Sequence, residues 1–194
     1  MRSLPNILST IRILLTPVFL VLFFEPELWL KILALIIYII AAITDFFDGY
    51  YARKYNIETT VGAFLDPFAD KLLTLSGFAV LPFISAEQFP WWAIGMIAFR
   101  DVFITLLRVW ANRKKLPMAT SKLAKTKTTV QMIFLYLGLI IGVFKDATFF
   151  LGEWIALLLS TNVMFILLVV VTLFTVYSGI EYVLNNKRLF KSLD

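Results

Sequence analysis

Four aspartates interrupt a strongly apolar stretch of the chain, and their spacing groups them in two pairs. Asp45 and Asp48 are three residues apart, and Asp66 and Asp70 are four residues apart. In a helix, residues at these separations lie on one face, with Cβ atoms about 5–6 Å apart. Four carboxylates close together repel one another unless cations neutralise them. Oxygen ligands of this kind suit Mg²⁺, Mn²⁺ or Ca²⁺ rather than zinc or copper, so the pattern predicts a divalent-metal site.

Phosphoryl transfer is the chemistry that such a site would support. Two ions about 3.5–4 Å apart can stabilise both the attacking and the leaving oxygen. The chain contains no histidine and no cysteine, which excludes the commonest general base and any thiolate nucleophile. Proton transfer and metal binding must then depend on Asp, Glu, Lys, Arg or Tyr.

Small residues and one arginine accompany the aspartates. Gly49 and Ala52 follow Asp48 and leave backbone against which a nucleotide can lie. Gly62 can do the same, or can simply allow close helix packing. Arg53 can hold a phosphate through two hydrogen bonds, or can serve as an interfacial anchor.

The amino-acid composition indicates whether the segments that carry these residues are surrounded by water or by lipid. Hydrophobic residues make up 60% of the 194 positions and charged residues 16%, against about 45–50% and about 25% in soluble domains. A chain of this size cannot bury so much apolar surface in water. We therefore predict an all-α integral membrane protein, with residues 1–194 forming a single membrane-embedded domain.

The hydropathy pattern predicts six transmembrane helices, since a spanning helix needs about 20 mostly apolar residues. The last is too long for one plain span, and we expect its end to project into water. The predicted helices cover approximately Asn6–Phe24, Trp29–Tyr51, Thr60–Ile84, Pro90–Trp110, Thr128–Phe144 and Phe149–Leu184.

The distribution of Lys and Arg predicts the orientation. Most of the 18 basic residues lie at the two termini and in the second-to-third and fourth-to-fifth connections, so these segments are expected in the cytoplasm. The net charge of +5 is then explained by the basic residues of the cytoplasmic segments and by their attraction to anionic lipid. No nucleic-acid partner is predicted. The carboxylates would face the cytoplasm at the level of the lipid. That position suits a substrate with a pyrophosphate head and acyl tails.

The spacing of the aspartates, glycines, alanine and arginine resembles a known motif. The run is Asp45-x2-Asp48-Gly49-x2-Ala52-Arg53-x8-Gly62-x3-Asp66-x3-Asp70. It matches the motif of the CDP-alcohol phosphatidyltransferase family at all eight defining positions. The resemblance implies that family's fold, with six transmembrane helices, both termini in the cytoplasm and usually a homodimer. It places the enzyme in a membrane of the bacterial cytoplasmic type.

The resemblance also implies roles for these residues. Asp45, Asp48 and Asp66 would bind two divalent cations, Mg²⁺ or Mn²⁺. Asp70 would contribute to metal binding and act as the base that deprotonates the acceptor hydroxyl. The pocket for the CDP moiety would include Gly49, Ala52, Arg53 and Gly62.

Segments outside the motif resemble the phosphatidylglycerophosphate synthases of that family. These segments are Leu4–Arg12 with Pro17, Arg100-Asp101 with Leu107-Arg108-x-Trp110, and Ser121–Met132. The chain departs from the subgroup in having Asp101 where Glu is common and Ala124 where Gly is common. The resemblance implies that glycerol 3-phosphate is the acceptor.

A phosphate dianion needs fixed cations beside the metal site. The candidates are Arg108, Lys125 and Lys127 at the cytoplasmic helix ends, with Arg100 deeper. Arg100 can instead pair internally with Asp101 or with a motif carboxylate.

The resulting hypothesis is that CDP-diacylglycerol and glycerol 3-phosphate react to give phosphatidylglycerophosphate and CMP. A relative with another acceptor remains an alternative: phosphatidylglycerol for cardiolipin, an inositol compound, or serine. A cation-coupled transporter is the alternative from another class. The aspartates are expected at one membrane face rather than at the midplane, and the sequence shows no inverted repeat, which disfavours a transporter.

Overall fold

A computed structural model describes residues 4–55, 62–114, 122–147 and 150–186. In these ranges the chain is helical, with seven helices and no strand. The helices are α1 (Leu4–Phe24), α2 (Leu28–Tyr55), α3 (Gly62–Ile84), α4 (Trp91–Arg113), α5 (Lys122–Phe144), α6 (Phe150–Ser160) and α7 (Val163–Asn185). The first five correspond to the first five predicted helices.

The prediction of one helix over Phe149–Leu184 is wrong, because the chain breaks there into α6 and α7. The hydroxyls of Ser160 and Thr161 donate to the carbonyls of Leu157 and Leu158, both at 2.7 Å. Such local bonds offer the backbone an alternative to continuing a helix. Asn162 then stands at the N-cap of α7. The sequence prediction missed this break because the surrounding hydropathy is continuous.

Two helices in the described ranges are long and apolar enough to cross a membrane, namely Lys125–Phe144 and Val163–Asn185. Shorter apolar helical segments are Ser9–Phe24, Leu28–Thr44 and Phe150–Ser160. Many large apolar side chains are exposed, among them Phe99 and Leu173 at 73% and 65%. Surfaces of this kind are unusual for a protein in water and agree with a lipid environment.

The helices group into two compact units. One comprises Met1–Val80 with Leu139–Ile155, and the other comprises Leu81–Gly138 with Ala156–Asp194. The division falls inside α3, α5 and α6 rather than in connecting segments.

Packing of α1 against α2 forms the centre of the first unit. The buried face of α1 carries Ser9, Arg12, Thr16, Phe19 and Phe23, and these positions repeat with the three- and four-residue spacing of one helical face. Phe19 packs against Tyr38 of α2, with ring centroids 4.8 Å apart. An ion pair of 3.0 Å joins Lys31 to Asp146 in the same unit.

In the second unit, α4 runs parallel to α7. Along the two segments, Gln88 bonds the backbone of Phe165 at 3.1 Å and Arg100 bonds Ser178 at 2.9 Å. Further on, the guanidinium of Arg108 lies 5.8 Å from the ring centroid of Tyr182. Residue numbers rise together along the two helices, which defines their parallel direction.

Helix α5 runs antiparallel to α4. Phe89 packs edge-to-face against Phe134, with ring centroids 6.2 Å apart. Asp101 contacts Gln131 and Lys127 nearer the start of α5. The C-terminal end of α4 and the N-terminal end of α5 therefore lie on the same side of this three-helix group.

Candidate active site

The backbone places the motif aspartates as predicted, one pair on α2 and one pair on α3. The side chains of Asp45, Asp48 and Asp66 lie outside the described residues. The same holds for the side chains predicted to surround CDP, which belong to Gly49, Ala52, Arg53 and Gly62. Each of these residues nevertheless falls within the helical part of α2 or α3.

Asp70 is the motif aspartate whose side chain is described. Its side chain is 42% exposed, and its Oδ2 lies 3.3 Å from Nζ of Lys71. The backbone carbonyl of Asp70 accepts a hydrogen bond from the Thr74 hydroxyl at 3.0 Å. The carboxylate is therefore accessible from outside the packed helix, as a group that meets a substrate or an ion must be.

A close contact between α2 and α3 sets the level of the two aspartate pairs. The Tyr38 hydroxyl donates to the Leu73 carbonyl at 3.3 Å, and the backbone of Gly77 packs against the same ring. Position 45 lies seven residues after Tyr38, and position 66 lies seven residues before Leu73. Seven residues make about two helical turns, or roughly 10.5 Å of rise. Since a short connection makes α2 and α3 antiparallel, both positions lie about the same distance beyond the contact.

Gly77 is required by this contact. A Cβ at position 77 would lie 2.7 Å from the Tyr38 hydroxyl and 3.0 Å from its ring carbon. Tyr38 is fully buried, so its ring has little freedom to move. The absence of a side chain at Gly77 therefore allows α2 and α3 to approach closely.

The donor set of the motif fits hard divalent cations. The four aspartates supply only carboxylate oxygens, which Mg²⁺ and Mn²⁺ prefer, and the chain has no His or Cys to favour zinc. Among the side chains that the structure describes, no group of three acidic residues forms. Three of the four motif carboxylates fall outside that set, so the metal site stays a prediction.

A buried group of charged residues lies in the second unit. Asp101 and Lys127 are each 2% exposed and form an ion pair. Asp101 Oδ1 also accepts from Arg100 at 3.1 Å, and Oδ2 accepts from Gln131 at 3.0 Å. Arg100 donates in turn to Ser178 at 2.9 Å. These residues, Arg100, Asp101, Lys127, Gln131 and Ser178, are termed the Asp101 cluster.

The structure separates the four cations that were predicted to bind the acceptor phosphate. Arg100 and Lys127 belong to the buried Asp101 cluster, so the internal pairing of Arg100 with Asp101, left open by the sequence, is observed. Arg108 and Lys125 are exposed. They lie at the ends of α4 and α5 that are on the same side of the unit. Two cations are thus accessible to an anion and two are engaged internally.

Sequence reasoning missed the roles of Gln131, Ser178 and Gly179. Gln131 lies four residues after Lys127 on one face of α5, a spacing that could have suggested a shared partner. Gly179 leaves room for Arg100, since a Cβ there would lie 2.9 Å from Arg100 Cγ. No local pattern indicated that α7 would contact α4 at this level.

A model of the CDP-alcohol phosphatidyltransferase family matches residues 2–177. The chain belongs to that family. The match covers most of the chain and includes both aspartate pairs. The family predicted from the motif is therefore confirmed, and with it an enzyme of the phosphatidyltransferase class.

Curated relatives of this chain are named for one particular reaction of the family. One from Salmonella typhimurium (strain LT2) is 40% identical over 139 residues, which cover 69% of this chain and 74% of the relative. One from Escherichia coli (strain K12) is 38% identical over 139 residues, with the same coverage of both chains. Both are CDP-diacylglycerol–glycerol-3-phosphate 3-phosphatidyltransferases.

Proposed function

We propose that this family member transfers the phosphatidyl group of CDP-diacylglycerol to glycerol 3-phosphate, with phosphatidylglycerophosphate and CMP as products. The observation that carries the proposal is the 38–40% identity to relatives named for that reaction. Two exposed cations, Arg108 and Lys125, add a physical reason for an acceptor that bears a phosphate.

The proposed chemistry is a displacement at the lipid-side phosphorus. The acceptor hydroxyl forms the new P–O bond, and the bond between this phosphorus and the departing CMP oxygen breaks. Asp70 takes the proton of the hydroxyl, for which its accessible carboxylate is suited. The base need not be strong, because a hydroxyl beside divalent cations loses its proton more readily.

Asp45, Asp48, Asp66 and Asp70 would together hold two divalent cations, Mg²⁺ or Mn²⁺. When bound, these ions would neutralise the pyrophosphate and the leaving oxygen. The equal seven-residue offsets of positions 45 and 66 from the Tyr38–Leu73 contact support this grouping. Gly49, Ala52 and Gly62 would admit the cytidine close to the backbone, and Arg53 would bind a phosphate oxygen pair.

Arg108 and Lys125 would bind the acceptor phosphate directly. Both are exposed, and a guanidinium and an ammonium on neighbouring helix ends suit a dianion. Arg100 and Lys127 would add positive charge from the interior of the same unit. All four cations predicted from the sequence would thus attract the acceptor phosphate, and two of them, Arg108 and Lys125, would contact it directly.

The proposed topology has six membrane crossings, with both termini and the active site on the cytoplasmic side of a bacterial-type membrane. In this arrangement α6 makes no crossing, because its 11 residues extend only about 16 Å against about 30 Å of hydrocarbon. A single functional domain and a homodimer complete the proposal.

The test is CMP release by purified protein from CDP-diacylglycerol, with and without Mg²⁺ or Mn²⁺, across a panel of acceptors. The expected result is metal-dependent release with glycerol 3-phosphate and little with phosphatidylglycerol, inositol phosphate or serine. Metal-dependent release with one of the others would retain the family and reject the acceptor. CMP release that does not change when metal or a chelator is added would reject the metal site.

A further inference from the structure

A groove of about 490 Å³ runs between α4 and α7 in the second unit. Its lining residues lie between Met96 and Ile104 on α4 and between Val176 and Leu184 on α7. On both helices they recur with the three- and four-residue spacing of one helical face. Because the two helices are parallel, the groove follows both for eight residues, or about 12 Å.

The wall of this groove is apolar although an arginine takes part in it. The guanidinium of Arg100 turns to Asp101 at 3.1 Å and to Ser178 at 2.9 Å, so the aliphatic part of the side chain lines the groove. The other lining residues are aliphatic or aromatic, with one glycine. Phe99 and Phe103 stack along one side, with ring centroids 5.9 Å apart. An occupant must therefore be apolar along this length.

The groove opens toward the surface that lipid would cover. Helix α7 is one of the two described helices that are long and apolar enough to cross a membrane, and Ile180 and Leu184 in the groove are 56% and 50% exposed. A volume of about 490 Å³ spread over about 12 Å gives a mean cross-section of about 40 Å². An α-helix with its side chains measures about 10–12 Å across, or about 80–110 Å². The groove thus suits an extended chain better than a helix of another protein.

Arg108 stands at one end of the groove. It follows Ile104 by four residues on the same face of α4, and its guanidinium lies 5.8 Å from the ring centroid of Tyr182 on α7. Helical side chains point back toward the N-terminus of their helix, which directs the guanidinium toward the groove. Arg108 is exposed. An apolar channel that ends at an exposed guanidinium is complementary to an apolar chain that ends at a phosphate.

We propose that this groove binds one acyl chain of an anionic phospholipid of the bilayer, with the lipid phosphate at Arg108. Basic pockets between helices on the cytoplasmic side of a membrane bind anionic headgroups. A zwitterionic lipid offers the same chains but carries a cation that Arg108 repels. Arg108 is also the cation proposed for the acceptor phosphate, so the lipid and the acceptor would occupy it in turn. Lipid binding needs no acceptor, and the inference therefore stands apart from the proposed reaction.

The experiment uses a phosphatidylglycerol that carries a photoactivatable diazirine midway along one acyl chain. The purified full chain is placed in phosphatidylcholine vesicles with this probe and without acceptor, and the labelled peptides are identified by mass spectrometry. We expect labelling of the groove residues of α4 and α7. It should exceed labelling by the matched phosphatidylcholine probe about tenfold, which is the effect of one charge-assisted hydrogen bond.

Three variants locate the bound lipid. Ile180→Trp fills the groove and should remove most of the groove labelling. Ile166→Trp is the matched control, because it makes the same change on the same helix at 57% exposure, against 56% for Ile180, and does not line the groove. Arg108→Gln should lower labelling by the phosphatidylglycerol probe about tenfold, to the level of the phosphatidylcholine probe. All three positions are exposed, so the folded helices should tolerate the changes.

Two results would overturn the proposal. Equal groove labelling by the two probes, unchanged in Arg108→Gln, would mean that bilayer chains touch the groove without selection. No lipid labelling, together with a disulfide between two chains of Ile180→Cys, would mean that a second copy of the protein covers the groove.

CMP release by the same preparation separates this inference from the proposed function. A protein that releases CMP with glycerol 3-phosphate, but labels equally with both probes, would reject the lipid site alone. A protein that labels selectively with phosphatidylglycerol, but releases no CMP with glycerol 3-phosphate, would retain the lipid site and reject the proposed function alone.

Discussion

At the level of single residues, the described side chains differ in how open they are to a substrate. Asp70, Arg108 and Lys125 are accessible, whereas Asp101 and Lys127 are enclosed. Accessible charged groups can contact a substrate without a change of structure. Enclosed ones act through their neighbours, and this difference decides which substitution should affect which kinetic constant.

Replacement of Asp70 by Asn should abolish turnover while CDP-lipid binding survives. A general base contributes about 10²–10⁴-fold to a rate, so we expect kcat to fall at least about 100-fold. Single-turnover CMP release and equilibrium binding of CDP-diacylglycerol measure the two effects separately. Asp146→Asn, which removes another ion-paired carboxylate of the first unit, is the control. Parallel loss of turnover and of lipid binding would make Asp70 mainly a metal ligand.

Neutralising the exposed cations should weaken acceptor binding. Arg108→Gln and Lys125→Gln are each expected to raise KM for glycerol 3-phosphate about tenfold, because each removes a charge-assisted hydrogen bond to phosphate. Initial rates at saturating CDP-diacylglycerol give the measurement. Lys114→Gln, an exposed lysine stacked on Trp110 at 5.0 Å on the same helix end, should leave KM unchanged. A similar increase for Lys114→Gln would indicate a general effect of charge rather than a defined phosphate site.

At the level of helices, the contact of Tyr38 with Leu73 and Gly77 sets how closely α2 and α3 approach. The hydroxyl of Tyr38 donates to the backbone carbonyl of Leu73, so the contact depends on the position of the backbone. The distance between α2 and α3 at this contact also affects their separation about two helical turns away, where the aspartate pairs lie.

Gly77→Ala should therefore destabilise the protein. The added Cβ would lie 2.7 Å from the Tyr38 hydroxyl, and overpacking of this kind costs about 1–3 kcal/mol. Thermal unfolding in detergent measures the change. Gly95→Ala is the matched control, since no atom lies within 4 Å of a Cβ at that position, and Ala favours a helix over Gly.

A second change tests the cause of that effect. Tyr38→Phe removes the nearest atom, so the double variant Gly77→Ala/Tyr38→Phe should be more stable than additivity of the single changes predicts. Strict additivity would mean that the two residues do not interact, and would argue against close approach at this point.

At the level of the whole molecule, the directions of the helices in the second unit bear on topology. Within that unit, α7 is parallel to α4, and α5 is antiparallel to both. These directions fit the proposed six crossings, in which α7 alone would be the sixth.

Labelling of single cysteines tests this topology, and the chain has no native cysteine to interfere. In intact cells, a membrane-impermeant maleimide should modify Glu153→Cys and Ser160→Cys from outside, since the proposed topology puts both ends of α6 on the outer face. Lys114→Cys, at the end of α4 that is proposed to be cytoplasmic, should be modified only after the cells are opened. Protection of one of the two α6 positions in intact cells would mean that α6 enters or crosses the membrane.

The sequence by itself determined the family and the helical class, and it predicted the residues that carry chemistry. The reason is that metal-binding carboxylates need a fixed spacing on a helix, and spacing is visible in a linear sequence. Hydropathy located the first five helices, because a helix surrounded by lipid needs a long run of apolar residues, and such a run is visible in the sequence. It missed the break at Thr161–Asn162, which depends on hydroxyl-to-carbonyl bonds rather than on hydropathy.

Only the tertiary structure decided which cations are accessible. In sequence, Arg108, Lys125 and Lys127 are equivalent positive charges at helix ends, and Arg100 differs from them only in its deeper position. Their burial depends on Asp101, Gln131 and Ser178, which belong to helices α4, α5 and α7 and are distant in the chain. Contacts between distant segments arise from packing against a common neighbour, and no local spacing encodes them. The division between Arg108 and Lys125 at the surface and Arg100 and Lys127 inside is thus a property of the folded chain.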